Sequence, residues 1–257
     1  MATVDTFART RLDPDTYVFP DPPDDPDDKM TNFDHLTITG NAHYLAVHLG
    51  RPETTLVAGD RYLSLALTAD MTGLRYPDMI VAFGVDPDLY RRRNAYVISD
   101  QGKPPDLVME IASPSTARVD TGPKRRDYAR LGITEYWRFD DTGDYHGTRL
   151  AGDRLADGDY VPVDIEDLSD EVLQGYSAVL DLHLRWDHGV LVFGDPATGR
   201  RITTLEDERR ARTAAEVHAE AEHIRAEAEH ARYAAAEARA EAAEARVKEL
   251  EDRIRRT

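Results

Sequence analysis

The segment 107–112 constrains this chain more than any other, because it reads Leu-Val-Met-Glu-Ile-Ala and sets one carboxylate in an apolar strand. A short continuous apolar run is typical of a strand that is buried on both faces of a sheet. An ionised Glu110 in such a strand costs several kcal/mol unless a cation or an ion-pair partner accompanies it. Asp106 shares the strand face but lies about 13 Å away at ~3.3 Å per residue. The partner must therefore come from another element.

A second carboxylate opens the apolar strand predicted over Met79–Phe83. Asp78 follows Pro77 directly before that strand. If the strand lies beside the one that carries Glu110, we expect the two carboxylates to converge. Clustered carboxylates in a chain without cysteine favour a hard ion, Mg²⁺ or Mn²⁺. The alternative is that Asp78 only caps the entry to its strand.

The third candidate is Lys124, on a helix predicted over Pro123–Leu131. Asp120 or Thr121 can cap the start of this helix, and Pro123 suits its first turn. Lys124 shares a helical face with Tyr128, which we expect to pack on the sheet. A cation at a helix N-terminus opposes the helix dipole, which indicates a task such as meeting a carboxylate or a phosphate. The alternative is a lysine whose stem packs while its amine reaches solvent.

The remaining pattern predicts three zones. Residues 1–30 form an acidic arm rich in Pro and Asp, which we expect to be mobile and to adhere only through Tyr17-Val18-Phe19. Residues 31–199 hold most aromatic and β-branched residues and predict an α+β domain with few helices. Besides the strands above, strand-like runs include Tyr62–Thr68, Ala95–Ser99, Glu135–Phe139 and Ala178–Leu184.

Residues 203–257 predict a long helix, since Ala, Glu and Arg dominate and neither Pro nor Gly occurs after position 205. Apolar residues repeat at 3,4 spacing in two seams, one from Val217 to Ala231 and one from Tyr233 to Ile254. The pattern favours a coiled coil that joins protomers into a homo-oligomer. A single solvated helix is the alternative, because an Ala-rich seam buries little area.

The amino-acid composition limits which partners the protein can bind. The net charge is −17, which opposes long-range attraction to nucleic acid. DNA would need a local basic edge, and five arginines on the segment after Met79–Phe83 and on the Lys124 helix are the candidates: Arg91, Arg92, Arg93, Arg125 and Arg126. A solvated turn and a polar helix face explain them equally well. No membrane span and no secretory signal is recognisable, so we expect a cytoplasmic protein without a membrane partner.

The combination of Asp, buried Glu and inward Lys resembles the Uma-type restriction endonuclease family, a branch of the PD-(D/E)XK nuclease superfamily. The resemblance covers roughly residues 32–195. The matching residues are Pro77-Asp78, the run Pro105–Thr116, Asp120, Lys124, Tyr128, Gly132, Glu135-Tyr136-Trp137 and Asp140.

The resemblance implies a restriction-endonuclease-like fold, with a mixed four-stranded sheet flanked by helices and extended by β-hairpins. It makes Asp78 and Glu110 the metal ligands and Lys124 the catalytic lysine. The usual lysine position two residues after the acid is Ala112 here, so the helix must supply the amine. The first helix, which carries an acid in many superfamily members, offers His43 and His48 instead.

Two functions follow from these patterns. The first is a Mg²⁺- or Mn²⁺-dependent endonuclease that hydrolyses DNA phosphodiester bonds. The second is a non-catalytic scaffold that keeps a nuclease-type fold and binds partners through its coil and its acidic arm. The intact set of Asp78, Glu110 and Lys124 favours the enzyme, whereas the net charge favours the scaffold.

Overall fold

The computed structural model describes residues 12–23, 33–202, 209–210, 212–230, 232, 239, 246 and 255. The chain divides into two units, residues 1–204 and 205–257. The first unit is an α+β domain built on a mixed sheet with helices and hairpins, which confirms the predicted fold class. In the second unit residues 212–230 are helical.

The elements of the first unit follow one another in short connections. The strands are β1 (Thr55–Ala58), β2 (Tyr62–Ser64), β3 (Met79–Phe83), β4 (Ala95–Val97), β5 (Leu107–Ile111), β6 (Glu135–Phe139), β7 (Leu150–Ala156), β8 (Asp159–Pro162), β9 (Ile165–Ser169), β10 (Val172–Ser177), β11 (Leu182–Asp187) and β12 (Val190–Gly194). The α-helices are α1 (Asn41–Leu49), α2 (Pro87–Arg93), α3 (Ile98–Gln101), α4 (Ala117–Val119) and α5 (Arg125–Leu131), and π-helical turns span Phe33–Ile38 and Asp120–Lys124.

The main sheet has six strands, in the order β1-β3-β5-β6-β7-β8. Its neighbouring strands are antiparallel except β5 and β6, which run parallel with Leu107 beside Glu135 and Ile111 beside Phe139. A parallel pair requires a crossover connection. Here α4, the second π-helical turn and α5 form that crossover, so Lys124 is carried over one face of the sheet.

Strand β5 is buried along its whole length because both faces of the main sheet are covered. Val108 packs with Tyr128 of the crossover on one face. Leu107, Met109 and Ile111 point to the other face and pack with the second sheet. That sheet has four antiparallel strands in the order β12-β11-β10-β9. The alternation leaves Glu110 on the crossover face, where it meets Lys124.

Three strands have bounds in the structure that differ from those that the sequence predicts. The run Tyr62–Thr68 gives only β2, which pairs in parallel with β4, and the Ser64 hydroxyl then donates to the Ala66 carbonyl. The run Ala95–Ser99 leaves the sheet at Val97 and enters α3. The run Ala178–Leu184 begins its strand only at Leu182, because the Ala178 and Val179 amides donate to the Glu135 carboxylate.

Part of the predicted acidic arm lies against the domain. Phe19 is buried, its ring lies 6.4 Å from that of Tyr62, and its amide donates to the Arg93 carbonyl. The Arg93 guanidinium in turn donates to the Tyr17 carbonyl at 3.0 Å. Residues 1–11 and 24–30 of the arm lie outside the described residues.

The C-terminal unit is described over the first of the two predicted seams as far as residue 230. Each described residue from 212 to 230 is exposed. The second seam, from Tyr233 to Ile254, lies outside the described residues, and the coiled coil stays a prediction. Among the helices that the structure describes, none is long and apolar enough to cross a membrane.

Trp137 of β6 is the largest fully buried side chain, and two glycines make room for it. A Cβ atom on Gly152 of β7 would stand 2.8 Å from the indole ring. A Cβ atom on Gly175 of β10 would stand 2.8 Å from the same ring. The indole thus fits between the two sheets only because β7 and β10 each have a glycine at this point.

We expect Gly152→Ala to lower the free energy of unfolding by about 1–3 kcal/mol, because the added methyl group displaces the buried indole. Urea unfolding followed by Trp fluorescence measures the change. Gly122→Ala is the matched control, since its Cβ atom would lie 3.9 Å from the nearest atom, the Arg126 guanidinium. Equal losses in the two variants would contradict this account of the packing.

Candidate active site

Asp78 directly precedes β3, and Glu110 lies on β5, the antiparallel neighbour of that strand. The ladder between β3 and β5 pairs Met79 with Met109, and one further step sets Asp78 opposite Glu110. Directly opposite residues share a sheet face, with their Cβ atoms roughly 5 Å apart. Asp78 accepts a hydrogen bond from the Ile111 amide at 2.7 Å, which fixes its carboxylate beside β5. The structure therefore brings the two predicted ligands together.

Lys124 reaches the same place from the crossover. Its Nζ atom lies 2.8 Å from Glu110 Oε2 and 2.8 Å from Asp120 Oδ1. Only 10% of the side chain is exposed, so the amine lies inside the cluster and does not reach solvent. Tyr128, one turn further along, donates its hydroxyl hydrogen to the other Glu110 oxygen. The shared helical face predicted for Lys124 and Tyr128 is thus the face that covers Glu110.

Asp120 has a larger role than the helix cap that the sequence predicted. The helical crossover begins earlier, at Ala117, and no side chain caps α5. Instead, the Asp120 carboxylate pairs with Lys124, accepts the Thr116 hydroxyl at 3.0 Å and lies 3.0 Å from Nε2 of His146. Its spacing of four residues from Lys124 is the signal that could have identified it, because such residues meet on one helix face.

His146 is the member of the cluster that sequence reasoning missed. It lies in the connection between β6 and β7, and its side chain is 1% exposed. The Asp140 carboxylate shapes this connection by accepting backbone N–H groups from Gly143, Tyr145 and His146 at 2.7–2.8 Å. No local pattern signals such a residue, because its partner lies 26 positions away in the chain.

The cluster contains more buried acidic side chains than basic ones. Burial and the neighbouring Glu110 charge raise the pKa of Asp78 well above its ordinary value. Burial also raises the pKa of Glu110, although the Lys124 charge opposes the shift. Burial alone would raise the pKa of Asp120, but the hydrogen bond with His146 and the Lys124 charge lower it. Three carboxylates thus face one ammonium group.

Lys124 stays protonated in this environment. Burial by itself lowers the pKa of its amine, but the charges of Glu110, Asp120 and Asp78 outweigh burial and raise the pKa above its ordinary value. A lysine in this state is a fixed positive charge and a hydrogen-bond donor. It is not a general base at neutral pH.

The donor set fits a hard divalent ion. Asp78 and Glu110 provide carboxylate oxygens side by side, and the pKa values of both are raised. A bound cation would lower these pKa values again, because it favours the ionised carboxylates. Among the described residues, no group of three or more His, Cys, Asp and Glu side chains is arranged to hold a metal. Mg²⁺ does not require one, because it usually takes one or two carboxylates and completes its shell with water and phosphate oxygens.

The five candidate arginines divide into two groups. Arg93 donates to Asp100 and to two arm carbonyls, and Arg125 pairs with Asp153 at 2.9 Å and with the Tyr160 carbonyl. These two guanidinium groups are therefore occupied within the chain. The other three are exposed on α2 and α5: Arg91, Arg92 and Arg126. Within the described residues, Arg91 and Arg92 make only exposed ion pairs, with Asp88 and Asp86 at the start of α2.

The first helix contributes no acid to the cluster. In α1, His43 and His48 are exposed residues. The buried polar residue of α1 is Asn41, whose amide donates to the Leu191 carbonyl of β12 and so ties the helix to the second sheet. Within the described residues, the acidic side chains of the cluster therefore come from β3, β5 and the crossover.

We expect Lys124→Met to destabilise the protein by about 3–5 kcal/mol at neutral pH, because it leaves Glu110 and Asp120 buried without their cation. The loss should shrink as the pH falls towards about 5, since a carboxyl whose folded pKa is raised binds its proton more tightly in the folded state. Urea unfolding at several pH values measures both effects. Lys103→Met is the matched control, because Lys103 pairs with Asp106 at a half-exposed site. A pH-independent loss would contradict the pairing.

The fold agrees with the comparison against protein families. The family model Uma2, described as "Putative restriction endonuclease", matches residues 30–185, which is more than half of the chain. The match contains Asp78, Glu110, Asp120, Lys124 and His146. No curated protein matches the chain. The chain belongs to the Uma2 family, within the PD-(D/E)XK nuclease superfamily.

Proposed function

We propose that the protein is a metal-dependent endonuclease that hydrolyses DNA phosphodiester bonds. The observation that carries the proposal is the buried contact of Lys124 with Glu110 beside Asp78. The three side chains come from the start of β3, from β5 and from the crossover. Burying charged groups lowers the free energy of unfolding unless they are paired. Membership of a nuclease family supports the reaction class. The metal and the DNA substrate are our inference from the donor set and the basic residues.

In this proposal Asp78 and Glu110 hold Mg²⁺ or Mn²⁺ at the junction of β3 and β5. The bound ion supplies charge neutralisation at the scissile phosphate and lowers the pKa of a water molecule. The Ile111 amide keeps one Asp78 oxygen oriented at 2.7 Å. Tyr128 holds one Glu110 oxygen, so the carboxylate cannot rotate away from the site.

Lys124 serves as a fixed positive charge. Its amine donates hydrogen bonds and offsets the negative charge that develops on the phosphate in the transition state. Asp120 holds the amine at 2.8 Å, and His146 holds Asp120 at 3.0 Å. These two are positioning residues, because they act on the reaction only through Lys124.

A non-catalytic scaffold is the second candidate, and one observation favours it. Both oxygens of Glu110 already have donors within the chain, one from Lys124 and one from Tyr128. If that arrangement is permanent, Glu110 is a structural residue and the cluster only stabilises the fold. Metal binding separates the two candidates, since only the first requires it.

We expect Mg²⁺ or Mn²⁺ near ten times its Kd to raise the melting temperature by about 2–5 °C. Asp78→Asn and Glu110→Gln should abolish this shift. Asp106→Asn is the matched control, because it changes the same strand about 13 Å from Glu110 and should keep the shift. Differential scanning fluorimetry over a metal titration gives the readout without any substrate. A shift of equal size in all four proteins would contradict the assigned ligands.

Plasmid nicking tests the reaction itself. Wild type and Asp106→Asn should nick supercoiled DNA with Mg²⁺ or Mn²⁺ but not with EDTA. Glu110→Gln should lose at least about 10²-fold in rate, because the ion that stabilises the transition state is no longer held. Metal binding without nicking of DNA or RNA by wild type would favour the scaffold.

The exposed arginines provide a separate prediction. In a duplex-binding titration at several salt concentrations, Arg91→Ser with Arg92→Ser should lower the log–log salt slope by about 1.8, or roughly 0.9 for each lost phosphate contact. Arg93→Ser should leave the slope unchanged and instead loosen the arm, because its guanidinium is occupied within the chain. An unchanged slope in the double variant would exclude α2 from the DNA-binding edge.

A further inference from the structure

The helix of the C-terminal unit contains a seven-residue repeat. Residues 217–223 read VHAEAEH and residues 224–230 read IRAEAEH, so five of the seven positions are identical. Both copies lie within the helical stretch 212–230. A period of seven keeps equivalent residues on one side of a helix and is typical of coiled coils. The repeat therefore defines one face of this helix.

The repeated apolar residues form a narrow exposed seam. Val217 and Ile224 are 65% and 57% exposed, and Ala221 and Ala228 alternate with them at 3,4 spacing. In heptad terms the two β-branched residues take position d and the two alanines take position a. Such a seam gains free energy only if another apolar surface covers it.

The charges that flank the seam identify its partner. Glu220 and Glu227 take position g on one side, while Arg225 and Arg232 take position e on the other. When two copies lie parallel and in register, each g residue faces the e residue five positions later in its partner. Glu220 then meets Arg225 and Glu227 meets Arg232 across the interface. In an antiparallel pair, g faces g and e faces e, so like charges meet.

The ion pairs within the helix leave two of these charges unused. Arg212 pairs with Glu216 at 3.0 Å and His223 with Glu227 at 3.4 Å, each across one turn. In the stretch 212–230, neither Glu220 nor Arg225 has an ion-pair partner on its own helix. These are the two residues that a parallel copy would join.

From this pattern we infer that the seam Val217–Ala228 packs against the same seam of a second copy, in a parallel and in-register two-stranded coiled coil. The g and e charges set the orientation. This inference concerns the C-terminal unit alone and does not depend on the nuclease proposal.

Single cysteines test the geometry directly, because the chain has none of its own. In a parallel in-register pair, position a faces position a, so full-length Ala221→Cys should form a disulfide-linked dimer under mild oxidation. Full-length Ala226→Cys places the same change at position f, on the outside, and should stay largely monomeric on a non-reducing gel. Equal cross-linking of both variants, or cross-linking of neither, overturns the inference.

Charge reversal tests what sets the orientation. In sedimentation equilibrium of the full chain, Glu220→Arg with Glu227→Arg should raise the dimer Kd by about ten-fold or more, since attractive pairs become repulsive. The matched control, Glu222→Arg with Glu229→Arg, makes the same charge change at position b and should alter the Kd by less than about three-fold. Mixing the first variant with Arg225→Glu, Arg232→Glu should restore association. A monomeric wild type at high concentration, or equal effects of both reversals, contradicts the proposal.

Discussion

The contact between the Lys124 amine and the carboxylates of Glu110 and Asp120 is the interaction on which the rest of the domain depends. Strand β5 is buried on both faces, so a carboxylate in its middle is stable only with a cation at hand. Lys124 lies 2.8 Å from both acids, and Tyr128 and His146 occupy the remaining oxygens. The network is held mainly by its charges, because the Nδ1 atom of His146 is buried without a hydrogen-bond partner among the described residues.

The strand order and the crossover between β5 and β6 bring these residues into contact. Because β5 and β6 are parallel, the chain must cross over one face of the sheet, and the crossover carries both Asp120 and Lys124. The antiparallel β3 brings Asp78 to the same point from the other side. The connection after β6, folded around Asp140, adds His146. Three separate parts of the chain thus converge on one end of β5.

A second buried acid shows why burial alone does not mark a functional site. Glu135 on β6 is as buried as Glu110, but its partners are the Trp137 indole, the Ser177 hydroxyl, the Ala178 amide and the guanidinium group of Arg154, whose side chain is 42% exposed. Ser177 and Ala178 join β6 to the second sheet, and Arg154 joins it to β7. Glu110 instead faces another carboxylate and a lysine that stays charged. The difference lies in the partners, and the proposed function depends on those of Glu110.

The sequence by itself determined the fold class, the strands around Asp78 and Glu110, the inward lysine and the C-terminal helix, because each rests on local spacing and burial patterns. Only the tertiary structure decided that Asp120 is a partner of Lys124 and that His146 belongs to the cluster, since both roles depend on contacts between distant segments. It also decided that Arg93 and Arg125 are occupied within the chain, while Arg91 and Arg92 remain exposed. A sequence pattern shows which face a side chain occupies, but the partner it meets there is set by how the chain packs.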